Sequence, residues 1–290
     1  MRVASIDLGT NTTRLLVADV DDGRVDEIHR ESHITRLGEG VDARHRLLPV
    51  PIARVRNVLS DYRRTLESLG AERTLAVATS AVRDADNGEA FLGELEWGYG
   101  FATRLLSGDE EAELTRCGVD PPSGTLILDI GGGSTEVVLD EFHASLPMGS
   151  ARFTERYGDE MQSLLREAAV LLPDLSPEHA IGVAGTVTQL AALDTEDVDG
   201  YRLSRARARE QLQRLAAMSM EERRAVPHME PDRAPVIVAG AAILVAALDT
   251  YGLDEIEVSV RDLLDGAALA AAELPAPVEG DAPPGAYTCC

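Results

Sequence analysis

Two stretches of this chain repeat one arrangement of residues suited to phosphate and metal chemistry. The first, VASIDLGTNTTRLLVADV, carries Asp7, Gly9, Thr10 and Asn11; the second, LILDIGGGSTEVVLD, carries Asp129, Gly131, Gly132, Gly133 and Ser134. In each, an apolar β-branched run reaches an aspartate, tightens at glycine and resumes as a second apolar run, which predicts strand, turn, strand. Successive amides from Gly9 to Thr12 and from Gly131 to Ser134 form candidate anion nests. Their hydroxyls add donors, and Asp7 and Asp129 supply the hard oxygens that Mg²⁺ takes, often through water. Either stretch alone reads equally well as a glycine hairpin with a capping aspartate; two matching copies favour the chemical reading.

Further chemistry-bearing residues lie outside the two turns. SGDEEAEL contains the pair Glu110 and Glu111, which by spacing alone read as acidic residues favouring a helix N-terminus. HAIGVAGTVTQLAAL combines Gly182, Ala184 and Gly185, small enough for close backbone approach, with Thr186 and Thr188 as caps or donors. Arg54, Arg56, Arg63 and Arg64 form a local basic concentration, either an anion patch or, on the blander reading, solvent-facing helix arginines. No Cys/His or Ser/His pairing occurs in a comparable motif, so water is a better nucleophile candidate than a side chain.

Regular elements must position these groups. Ile52, Val55, Leu59, Tyr62, Leu66 and Leu69 recur at three- and four-residue intervals, which predicts a helix from Leu47 to Gly70 with the glycine as C-cap. TLAVATSAV at 74–82 reads as a strand, DADNGEAFLGELEWGYG as a helix, and FATRLLSGDEEAELTRCGV as a strand running into an acidic helix start. After the DPPSG turn at 120–124 the second half repeats the plan: a glycine-turn strand pair, a strand around Ala144–Leu146, helices from 151 to 172, then strand, turn and helix over 179–193. Arg233 to Leu248 reads as a buried helix too short to cross a membrane, and DEIEVSVRDLLDGAALAAAEL as a final strand and helix. This internal rhyme predicts an α/β fold of two similar mixed-sheet lobes around a cleft.

The 290 residues suffice for one or two domains with full cores. The 50 acidic against 27 basic residues give a formal charge of −23, and every one of the basic residues is arginine. Such a chain has no net positive field to release phosphate counterions, so bulk nucleic-acid binding is not expected. The opening MRVASIDLG reads as a strand start rather than a leader, no apolar run is long enough to span a bilayer, and the expected location is cytoplasmic with no membrane partner. Cys117, Cys289 and Cys290 make neither a disulfide framework nor a cysteine metal site.

DLGTNTTRLLV at 7–17, ATSAVRDADN at 78–87, SGDEEAEL at 107–114, DIGGGSTEV at 129–137 and VAGTVTQLAAL at 183–193 together resemble the exopolyphosphatase / guanosine pentaphosphate phosphohydrolase family, in a short two-domain form. The likeness runs from Ser5 to about Leu269 with the motifs in the family's order. It implies an actin-like, ribonuclease H-like fold: residues 1–119 as one lobe, 120–272 as the other, a last helix at about 262–272 packing back on the first, and 273–290 as a flexible tail. It further implies Glu111 as the catalytic carboxylate and Asp7, Asp129 and Glu136 as metal-associated or water-positioning acids. Gly9, Thr10, Asn11, Gly131 to Ser134, Arg83, Gly185, Thr186 and Arg233 follow as phosphate contacts, with Asn87 and Glu110 supporting. The implied cofactor is Mg²⁺ or Mn²⁺, and a homodimer fits the resemblance. The chain departs from relatives at Glu113, where many carry arginine, and at Ser150 and Ala151, where Cys and Val are common.

These readings converge on hydrolysis of a terminal phosphoanhydride, with Glu111 accepting a proton from water beside Glu110, Asp7 or Asp129. The expected substrate is inorganic polyphosphate, the alternative guanosine pentaphosphate. An ATP-dependent kinase and a weakly catalytic polyphosphate-binding protein are the readings from other classes.

Overall fold

The computed structural model describes residues 1–275, so most of the stretch expected to be a flexible tail lies outside the described residues. The chain divides into two units, one formed by Met1–Glu110 with the segment from Leu263 onward, the other by Glu111–Asp262.

The first unit is built on β1 (Arg2–Leu8), β2 (Thr12–Asp21) and β3 (Arg24–Ile34), an antiparallel meander. A one-turn helix, α1 (Val41–Arg44), and the 21-residue helix α2 (Pro49–Leu69) lead to β4 (Arg73–Ala78); α3 (Ser80–Arg83) and α4 (Gly88–Tyr99) then lead to β5 (Ala102–Leu105). Strands β4 and β5 join parallel to β1, giving the order β3-β2-β1-β4-β5. Helix α2 ends where expected, at Gly70 in the left-handed conformation (φ 73°) that glycine adopts without a Cβ clash. It buries Val55, Leu59, Tyr62 and Leu66 with Ile6, Leu8 and Leu15 of the sheet, each large apolar side chain contributing about 1.5–3 kcal/mol. Tyr62 spends its hydroxyl on the Thr13 carbonyl at 2.8 Å, so its burial leaves no donor unmet. The expected strand at 74–82 stops at Ala78, because Thr79 is the N-cap of α3 and its carbonyl accepts from the Val82 and Arg83 amides.

The second unit takes in α5 (Gly108–Val119) from Glu111 onward, then β6 (Thr125–Ile130), β7 (Thr135–Leu139) and β8 (Phe142–Leu146) as a second antiparallel meander. There follow α6 (Ser150–Tyr157), α7 (Met161–Leu171), β9 (His179–Val183), α8 (Ala184–Ala192), β10 (Arg202–Ser204), α9 (Arg205–Ala216), α10 (Met220–Arg224), α11 (Ile237–Thr250), β11 (Glu255–Val258) and α12 (Leu263–Glu273). The sheet order is β10-β11-β9-β6-β7-β8, with β9 parallel to both β6 and β11. Apart from the added β10 it repeats the first sheet strand for strand. Helix α11 is buried along all but its last two residues and packs against α6, α7, α8 and α9. Its start at Ile237, rather than Arg233, leaves Arg233 on a turn outside the helix.

Alternation along β6 and β7 sorts their residues onto two faces. Leu126, Leu128, Ile130 and Val137 join the large core that includes α11, whereas Ile127 and Val138 pack with Ala112 of α5 and with Val183. Asp129 and Glu136 belong to this second face, the one α5 covers. Helix α12 returns to the first unit and packs on β1, β2, β3 and β4. Ser5 donates to the Leu264 carbonyl at 2.7 Å, Arg30 pairs with Asp265 at 2.9 Å, and Arg73 donates to the Ala272 carbonyl at 2.6 Å. Ser5 and Asp7 share a strand face, so α12 covers the Asp7 face as α5 covers the Asp129 face.

Candidate active site

Both glycine turns are closed by the same bond. The Gly9 amide donates to the Thr12 carbonyl at 3.0 Å, and the Gly131 amide to the Ser134 carbonyl at 3.0 Å. A Cβ on Gly9 would stand 2.9 Å from the Thr12 carbonyl oxygen and one on Gly131 3.1 Å from that of Ser134, so a side chain crowds the turn at either place.

A later segment braces each turn. In the second unit the Gly131 carbonyl accepts from the Ser150 amide at 2.9 Å, that of Gly132 from Ala151 and Arg152 at 2.8 and 3.0 Å, and that of Gly133 from Arg152 Nε at 2.6 Å. Because a trans peptide points its C=O and N–H in opposite directions, three carbonyls drawn toward α6 turn the amides of Gly132, Gly133 and Ser134 away from it, as a nest for an anion requires. In the first unit the Asn11 carbonyl accepts from Thr35 and Arg36 at 3.1 and 2.9 Å, and that of Thr10 from Gly38 at 2.8 Å. The amides of Asn11 and Thr12 are directed outward by the same argument. Even the bracing hydroxyls correspond: Thr13 meets Thr35 Oγ1 at 2.9 Å, and Thr135 donates to the Met148 carbonyl at 2.6 Å. Ser150 and Ala151 serve here through their backbone, with Ser150 Oγ adding a 3.2 Å bond to the Gly131 carbonyl.

The carboxylates behind the turns differ between the units. Asp7 faces Arg14 across β1 and β2, and its Oδ2 accepts from Arg14 Nε at 2.9 Å and Nη2 at 2.7 Å, with both side chains largely buried. At the same register position Asp129 faces Glu136 across β6 and β7. Asp129 is 6% and Glu136 1% exposed, and Ser145, next in line on β8, donates to Glu136 Oε1 at 2.7 Å. Two neighbouring buried carboxylates repel unless a cation or proton is shared between them. Among the described residues no three His, Cys, Asp or Glu side chains are grouped to hold a metal. The hard oxygens of Asp129 and Glu136 nevertheless fit Mg²⁺, which commonly takes one or two carboxylates and completes its shell with water and phosphate. Asp7, with Arg14 on its Oδ2, has a cationic partner already.

Glu111 and Glu110, adjacent in sequence, part at the start of α5. Glu111 is buried, 6% exposed, on the helix whose Ala112 packs against Ile127 and Val138, the strand neighbours of Asp129 and Glu136 on their face. Glu110 is engaged elsewhere: it accepts from the Ser107 amide at 2.8 Å, the Ser107 hydroxyl at 2.9 Å and Arg104 at 2.5 Å, while Ser107 Oγ accepts from the Glu110 amide at 3.2 Å. This is a capping box, and the Ser107 amide, then Arg104 and the Ser107 hydroxyl, hold the Glu110 carboxyl down at about 2. Glu113 is paired with Arg116 at 2.7 Å, which keeps its carboxyl below the ordinary range.

Arg233 lies over the first turn of α8: a Cβ on Gly185 would fall 1.9 Å from its Nη1. Glu230 accepts from Arg233 Nε. Thr186 packs on Gly240 of α11, and Ala184 before it adopts φ 62°, a left-handed conformation that costs a non-glycine residue about 1–2 kcal/mol. In the first unit Arg83 Nη1 donates to the Leu106 carbonyl at 2.8 Å. Asn87 gives both ends of its amide to the Leu47 backbone, at 2.8 and 3.2 Å, and so ties down the entry to α2. The arginines of α2 each have an acidic partner: Arg54 pairs with Glu39, Arg56 with Glu94, Arg63 with Glu67 and Arg64 with Asp61.

Sequence reasoning missed Arg14, Ser145 and the bracing segments. A signal for the first was available, since Arg14 stands as far beyond Asp7 as Glu136 stands beyond Asp129, and equal hairpins place both opposite their aspartates.

Residues 16–272 match the Ppx/GppA phosphatase family, and the chain belongs to it; it is a hydrolase of the phosphatase type. It is 38% identical over 315 residues to exopolyphosphatase 2 of Mycobacterium tuberculosis, covering 93% of this chain and 98% of that one. It is also 30% identical to the guanosine-5'-triphosphate,3'-diphosphate pyrophosphatase of Vibrio vulnificus, over 91% of this chain and 58% of the relative. The crystal structure of the Aquifex aeolicus family member superposes with a TM-score of 0.76 at 29% identity, covering 94% of this chain and 97% of that one. Among the described residues no helix is long and apolar enough to cross a membrane.

Proposed function

We propose that the protein is an exopolyphosphatase that releases orthophosphate from the end of inorganic polyphosphate. The observation that carries the substrate is the likeness to exopolyphosphatase 2 across almost the whole of both chains. The duplicated strand order supports reading each unit as an actin-like, ribonuclease H-like module.

In this reading Glu111 takes the proton of the attacking water, and its seat on α5 above the Asp129 face supports that role. Asp129 and Glu136 would hold Mg²⁺, which would supply the positive charge that offsets the negative phosphate oxygens. The outward amides of Gly132, Gly133 and Ser134 bind equatorial oxygens and are preorganised by α6, so no reorganisation is needed at the moment of reaction. Arg233 with Gly185 and Thr186 orients a further phosphate. Within the first unit the loop from Gly9 to Asn11 presents outward amides of the same kind, Arg83 is a candidate phosphate contact, and Arg14 fixes Asp7 behind that loop.

Phosphate release from purified protein with Mg²⁺ tests the proposal. Release from polyphosphate well above that from guanosine pentaphosphate is expected. Release from the nucleotide alone transfers the assignment to the alternative substrate, and ATP-dependent phosphorylation of an acceptor without release from polyphosphate overturns hydrolysis of either.

A further inference from the structure

We propose that Ser145 is a positioning residue that holds Glu136 in place as a cation ligand. The inference rests on reading Asp129 and Glu136 as the cation-holding pair and extends that site by one strand.

Asp129, Glu136 and Ser145 occupy consecutive register positions on β6, β7 and β8, so their side chains rise side by side on one face. Ser145 Oγ donates to Glu136 Oε1 at 2.7 Å. A glutamate has three side-chain torsions, and one set beside another buried carboxylate swings away from it unless something holds it. A hydroxyl donor on one oxygen fixes the carboxylate's orientation, as the hydrogen-bond partners of metal-ligating groups do.

The first unit provides an internal comparison. There the same three register positions hold Asp7, Arg14 and Ser32. The middle residue is a guanidinium that bonds the aspartate directly, so that row carries its own cation. Ser32 is exposed, whereas Ser145 is partly buried and bonded to the middle residue. The serine is engaged in the row whose middle residue is an acid.

The test reads ion binding in the absence of substrate. Mn²⁺ serves as a paramagnetic stand-in, with the free ion followed by electron paramagnetic resonance during titration of the full chain. Ser145→Ala is expected to weaken Mn²⁺ binding by about tenfold or more. Ser145→Thr, which keeps the hydroxyl, is expected to restore it, and Asp129→Asn and Glu136→Gln to weaken binding at least as much as Ser145→Ala. If Ser145→Ala binds Mn²⁺ like the wild type while Glu136→Gln does not, the inference about Ser145 is overturned and the acidic pair stands. If neither carboxylate variant nor Ser145→Ala changes the affinity, the pair reading is overturned and the Ser145 inference with it. Failure of Ser145→Thr to restore binding assigns the loss to packing and also overturns the inference.

Discussion

Asp129 stands directly opposite Glu136 across β6 and β7, at the register position where β1 and β2 set Asp7 opposite Arg14. One hairpin therefore neutralises its aspartate with a built-in guanidinium, and the other sets two acids side by side. The two variants Asp7→Asn and Asp129→Asn should consequently move stability in different directions. In metal-free buffer Asp7→Asn strips the charge from a largely buried ion pair and leaves Arg14 under-compensated, a change of about 3–5 kcal/mol. Asp129→Asn removes one of two repelling carboxylates and is expected not to lower the thermal midpoint. Scanning calorimetry of both variants checks the contrast; equal losses would contradict it.

Glu111→Gln keeps the shape of the buried side chain and removes the proton acceptor. Turnover is expected to fall about 10²–10⁴-fold, with the thermal midpoint and substrate affinity near wild type. Steady-state phosphate release together with calorimetry decides it, and unimpaired turnover would remove Glu111 from the mechanism.

Gly149→Ala tests the brace behind the second glycine turn. A Cβ at this position would stand 2.5 Å from the Gly132 carbonyl carbon and oxygen and 2.6 Å from the Gly133 carbonyl carbon, all backbone atoms with nowhere to rotate. The loop must shift, and if these amides bind phosphate as proposed, a displacement of that order is expected to lower kcat/KM by about 10²-fold. Far-ultraviolet circular dichroism is expected to remain unchanged.

Glu110 yields a pH dependence. Its carboxyl is held at about 2 in the folded chain against an ordinary 4.5, so the capping contacts are fully present above about pH 4.5 and are lost as pH falls toward 2. Urea midpoints of the wild type and Glu110→Gln are expected to differ at pH 6 and to converge as pH approaches 2. A difference that does not shrink on acidification would show that the charge is not what caps α5.

Arg223 is 1% exposed and donates to the carbonyls of Leu215 at 3.2 Å and Ala234 at 3.0 Å and to Asp159 at 2.9 Å. Arg223→Met leaves those acceptors without their donor at a cost of about 2–5 kcal/mol. Asp159→Asn, on the half-exposed partner, costs about 0–1 kcal/mol. Because Ala234 follows Arg233, the first variant is also expected to raise KM while the second does not; urea unfolding and saturation kinetics separate the two effects.

Much of this was legible locally. β-Branched runs ending in Asp and Gly make hairpins wherever they occur, so both turns, their aspartates and the acidic helix start at Glu111 could be read from residue order. The periodicity of α2 and the uniformly apolar α11 follow from the same short-range rules. Less visible were the partners of these groups. Glu110 and Glu111 look alike in the chain and differ only because the helix turns one toward Ser107 and Arg104 and buries the other. The α2 arginines look like a basic patch until each meets an acid, two of them remote in sequence.

By itself the amino-acid order determined the two strand-turn-strand repeats and which side chains at them can bind phosphate or metal, because glycine torsions and strand alternation act over a few residues. Only tertiary structure decided that Asp7 belongs to Arg14 while Asp129 belongs with Glu136 and Ser145, and that α6 turns the glycine amides outward. Strand register and helix docking are set by burial summed over the whole sheet, and no local stretch of sequence contains that sum.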